Sequence, residues 1–94
     1  MVVEKPSHQA LAKDFLRLSP IELKAKYPED EEVQGALAQI TLIRKKFHIE
    51  GESPAAYAVI ETALMKRIAL NLAQGLPVLV SNVDDYYREI INQR

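Results

Sequence analysis

The chain is predicted to be all-α, a small bundle of four or five helices built on a central antiparallel helical hairpin. Three observations predict it. Helix-start and helix-stop residues punctuate the sequence at Ser7, Ser19, Glu29 to Glu32, Ser53 and Gly75. Apolar residues between these marks recur at spacings of three and four, the period of a half-buried helix. The most β-like run, Leu76-Pro77-Val78-Leu79-Val80, has no second strand to pair with.

The first helix is expected from Ser7 to about Leu18, with Leu11, Phe15 and Leu18 turned to the core. Ser19-Pro20-Ile21-Glu22 then forms a capping box. Ser19 accepts from the Glu22 N–H, Glu22 reaches back, and Pro20 fills the first helical position, where its missing N–H costs nothing. This second helix is short, because Pro28 disfavours helical geometry at Tyr27, and its apolar side is expected to include Ile21 and Ala25. Glu29-Asp30-Glu31-Glu32 marks the start of the third helix, where carboxylates complement the positive end of the dipole. Its stripe runs through Val33, Ala36, Leu37, Ile40, Ile43 and Phe47, and it should stop near Ile49, before Gly51.

The fourth helix, Ser53 to Gly75, is the most informative stretch. Ser53 caps it, Pro54 opens it and Gly75 can take the left-handed closing position. Tyr57, Leu64, Met65, Ile68 and Leu72 share one face, while Val59, Ile60, Ala63 and Leu70 lie behind them with Lys66 and Arg67. Leu42 and Ile49 make a similar second face on the third helix. Those faces are covered either by the terminal helices or by a second copy of the chain. Leu76 to Val80 is expected to be an extended, buried connector. Ser81 or Asn82 then caps the last helix, with Asp84 and Asp85 in its first turn and Val83, Tyr86, Tyr87, Ile90 and Ile91 on its apolar side.

Composition limits the function. The 94 residues make one domain, with 48% hydrophobic and 27% charged residues, ordinary globular values. A net charge of −1 provides no overall field for a polyanion. No cysteine is present, so disulfides, thiolate zinc sites and cysteine nucleophiles are excluded; the cytoplasm is the expected location. Met1 to Pro6 lack the basic start and apolar core of a signal peptide and are expected to be a frayed leader. The longest apolar run, Ala55 to Ile60, is far short of the roughly 20 residues needed to span a bilayer.

Chemistry-bearing residues are sparse. Glu61 interrupts the apolar face of the fourth helix and Arg44 that of the third, about one turn apart across the hairpin, so a partly buried Arg44–Glu61 ion pair is expected. A register-fixing role outweighs a catalytic or ligand-binding one at Glu61, because no nucleophile, phosphate loop or catalytic motif accompanies it. Arg44-Lys45-Lys46-Phe47-His48 is the one dense basic strip, with Arg44, Lys45, Lys46 and His48 as candidate phosphate contacts. Cations near a helix carboxyl end are favoured by the dipole alone, so nucleic-acid binding is the alternative and not the leading reading. His8 and His48 lie in no metal-ligand spacing, and no cofactor is expected. The leading expectation is a cytosolic protein-interaction or regulatory module without catalytic activity, homodimeric or bound to a protein partner. Its candidate surface is Val59, Ala63, Leu70, Tyr86, Tyr87, Ile90 and Ile91.

Overall fold

The computed structural model describes residues 7–51 and 53–93; the leader expected over residues 1–6 lies outside them. Five helices follow one another: α1 (His8–Arg17), α2 (Pro20–Lys26), α3 (Glu31–Ile49), α4 (Pro54–Ala73) and α5 (Val80–Asn92). The caps explain four of the five starts. Ser7, Ser19, Asp30 and Ser53 each accept from the backbone N–H three residues on, and Glu22 closes the box at Ser19 from the other side. Gly51 and Gly75 adopt φ of 82° and 80° just beyond α3 and α4, a backbone region that strains any residue with a Cβ.

The α3–α4 hairpin is antiparallel, since the start of α3 and the end of α4 meet at one place. His8, at the start of α1, marks it: one ring nitrogen lies 3.1 Å from the Gly75 carbonyl and the other 3.0 Å from Glu32 Oε2. Large side chains hold α3 and α4 apart. Tyr57 reaches across to donate to the Ile40 carbonyl at 3.3 Å, and its ring stands 5.8 Å from that of Phe47. α4 packs most extensively against α1 and next against α5, so it is the central element with neighbours on two sides. Leu64, Ile68 and Leu72 are completely buried along its length, and Leu11, Phe15, Leu37, Ile40 and Val83 close the core around them.

Two elements differ from expectation. On α2 the buried residue is Leu23, while Ile21 is 80% exposed and Ala25 also faces water. Leu23 shares a face with Lys26 and Tyr27 at spacings of three and four, and both of those side chains bond Asp14 of α1. That pair of bonds fixes the roll of a helix too short for its own stripe to do so. The segment after Gly75 is extended but largely exposed. Val78 alone is buried there, whereas Leu76, Leu79 and Val80 are each about half exposed.

The last helix also begins earlier than Ser81 or Asn82. Val80 is already helical, and Asn82 works from inside, accepting from the Leu79 N–H. Asp84 and Asp85 therefore fall in the second turn. Asp84 accepts from the Gln39 side chain, which ties α5 to α3.

Glu32 holds the open end of the hairpin. Oε1 accepts from the Val78 N–H at 2.6 Å while Oε2 faces His8. Glu32→Ala is expected to lower stability by about 1–3 kcal/mol, because the Val78 amide loses its acceptor. Glu31→Ala, one position earlier and exposed, should stay within roughly 0.5 kcal/mol. Urea melts of the two variants check this, and equal losses would contradict the assignment.

Candidate functional site

The outward side of α4 is unusual for a helix facing water. Val59, Ala63, Lys66 and Leu70, at spacings of four, three and four, make one strip, with Val59 71% and Leu70 60% exposed. Ala55, Ala58 and Ala73 are exposed beside it, and Lys66 is the one charge in the strip. A solvated helix face ordinarily carries several charges. Neither terminal helix covers this one, because α1 and α5 take the two flanks of α4. Ile60, expected on the same back face, is instead buried. It lies seven residues before Arg67, on the side where Arg67 pairs with Glu89 of α5 at 2.7 Å.

The other half of the predicted surface belongs to the core. Tyr86 is buried beneath the Arg67 guanidinium, 5.1 Å from its ring centroid. Tyr87 is half-buried and meets Phe47 edge-on at 5.9 Å; Ile90 and Ile91 are half-buried against the same cluster. These four residues stabilise α5 and do not join the Val59–Leu70 strip.

The expected Arg44–Glu61 ion pair is not formed. Among the described residues the fixed-charge pairs are Lys26–Asp14 and Arg67–Glu89. Tyr57 comes between the predicted partners: Arg44 is exposed and lies 5.7 Å from the Tyr57 ring centroid. Glu61 is half-buried in a separate depression beside Phe15, Leu18 and Pro20. Burial first, and then the Glu61 carboxylate near its hydroxyl, push the Tyr57 phenol well above its ordinary value, with Arg44 acting weakly the other way. The gap between α3 and α4 at this register is filled by the Tyr57 side chain, which periodicity along either helix does not reveal.

The basic strip divides between two sides of α3. Arg44, Lys45 and His48 line an open cleft of about 540 Å³ at the hairpin tip, with Phe47, Ile49, Ser53, Pro54 and Tyr57. Lys46 faces α5, beside Leu42, Tyr87 and Arg88. Leu37, seven residues before Arg44 and so on the same side of α3, is buried. That side is covered along the body of the bundle and open at the tip.

Sequence reasoning missed Asp14. It is the one buried charged residue among those described, 6% exposed, and its Oδ2 receives both Lys26 Nζ at 2.7 Å and the Tyr27 hydroxyl. The bonds from Lys26 and Tyr27 hold its carboxyl below the ordinary range, although burial opposes them. The available signal was its position three residues from Leu11, on the core side of α1. Asp14 ties α1 to α2.

Among the described residues no cluster of three or more histidine or acidic side chains could hold a metal ion, and no helix is long and apolar enough to cross a membrane. Comparison with protein-family models, curated proteins and solved structures gives no match.

Proposed function

We propose that this chain is a protein-interaction module that pairs with a second copy of itself through the outer strip of α4 and performs no catalysis of its own. One observation carries the reading: Val59 and Leu70 stand exposed on a long helix face that has a single charge in its strip. The strip is suited to self-pairing. If two copies cross antiparallel, Val59 of each meets Leu70 of the other. The exposed alanines allow the backbones to approach, and each Lys66 can extend over its neighbour's Ala63 to reach water. A cysteine-free chain fits a reducing compartment, and the cytoplasm is the setting we propose. Nucleic-acid binding through Arg44 to His48 draws less support, because Lys46 lies away from the cleft that Arg44, Lys45 and His48 line.

A single helix–helix contact buries less than the ~1,200 Å² that marks a small interface, so the dimer should be weak, in the range of roughly 1 µM to 1 mM. Sedimentation equilibrium across that range is expected to show a concentration-dependent rise in mass. Val59→Glu and Leu70→Glu should each abolish it, since a buried carboxylate without a partner is costly. Their melting in dilute solution should be unchanged, both positions being exposed in the single chain. A native protein that stays monomeric throughout, or variants that associate as well as the native chain, would overturn the proposal.

A further inference from the structure

The cleft at the hairpin tip lies on a different side of α4 from the Val59–Leu70 strip, and self-pairing makes no use of it. Its floor is apolar. Phe47 and Tyr57 form the base, and Ile49, 84% exposed, stands at the edge with Pro54. Its rim is basic, with the Arg44 and Lys45 cations and the His48 imidazole all exposed, and neither fixed-charge ion pair of the described residues engages them. The half-buried Glu61 lines another depression and approaches this cleft at the Tyr57 hydroxyl, not among the rim residues. At about 540 Å³ the cleft is within the size range of small-molecule sites, which combine an apolar lining with a few convergent polar groups.

We propose that this cleft binds a small amphiphilic anion, its apolar body lying on Phe47, Tyr57 and Ile49 and its charged head meeting Arg44, Lys45 and His48. An apolar floor alone would favour a neutral ligand equally, and a basic rim alone would favour inorganic phosphate; the two together select a molecule that has both parts. Arg44 already lies over the Tyr57 ring, so the cation is held beside the floor before any ligand arrives. The α4 amino terminus and the α3 carboxyl terminus both end at this rim, so their dipoles offset and its positive charge comes from the side chains.

Titration of the isotopically labelled full chain with decanoate, followed by amide NMR, tests this. Saturable shifts are expected at residues 44–49 and 55–57. Decanol, which keeps the body and loses the charge, should bind at least tenfold more weakly, and inorganic phosphate should give no saturable shift at the same concentrations. Arg44→Gln and Ile49→Gln, both at exposed positions, should each weaken decanoate several-fold without changing the melting temperature. Equal binding of decanoate and decanol would overturn the proposal, as would shifts centred on Val59 and Leu70 or no saturable shift. Because Val59→Glu abolishes self-pairing and leaves the tip intact, decanoate binding by that variant separates a failure here from a failure of the dimer.

Discussion

Leu64→Ala is expected to lower stability by about 3–5 kcal/mol, a large share of the roughly 5–14 kcal/mol that a chain of this length possesses. Leu64 is completely buried on the central helix, where α1 and α5 flank it. The change removes the transfer free energy of the lost carbons and leaves a cavity that rigid neighbouring helices cannot fill by collapse. Leu70→Ala is the internal control. It deletes the same atoms from the same helix at a residue 60% exposed, and in dilute solution should change stability by no more than about 0.5 kcal/mol. Chemical denaturation of the two variants measures the contrast; similar losses would mean that α4 is rolled differently about its axis.

Asp14→Ala is expected to cost about 2–3 kcal/mol, since two bonds to one buried carboxylate disappear and the Tyr27 hydroxyl loses its acceptor. Asp14→Asn should cost less because the amide oxygen can still accept from Tyr27. The carboxylate also makes the stability depend on pH. Its value in the folded chain is below the ordinary 3.8, so its contribution is complete above that value and disappears as pH falls through the lowered folded-state value. Acid denaturation of the native chain should therefore include a loss in this window that Asp14→Ala lacks. Parallel acid titrations of the two proteins would disprove the assignment.

Much of the framework was legible because it is local. Ser7, Ser19 and Ser53 act as caps, Pro20 and Pro54 open helices, and Gly51 and Gly75 close them, each within four residues of sequence. Most of what could not be read depends on partners distant in the chain: the roll of α2 is set by Asp14 and the separation of Arg44 from Glu61 by the bulk of Tyr57. The early start of α5 is local, but Asn82 acts backward on Leu79 from inside the helix, where a cap was expected to precede it. The candidate surface was half legible for the same reason. Periodicity placed Val59 and Leu70 on the back of α4, but an apolar stripe on α5 reads alike whether it faces a partner or, as here, its own core.

The contact at His8 and Glu32 has a consequence for how the molecule assembles. The chain passes from α3 into α4 at one end, and Glu32 closes the other by holding His8 and the Val78 amide together. The two long helices thus become sides of a loop with no free end. His8 and Gly75 are 67 residues apart, so this last closure requires α1 and the segment beyond α4 to have arrived already. Helices can form early and locally, yet the frame locks only once nearly the entire chain has been placed. Folding should accordingly be limited by that final rendezvous and not by the speed at which any helix grows.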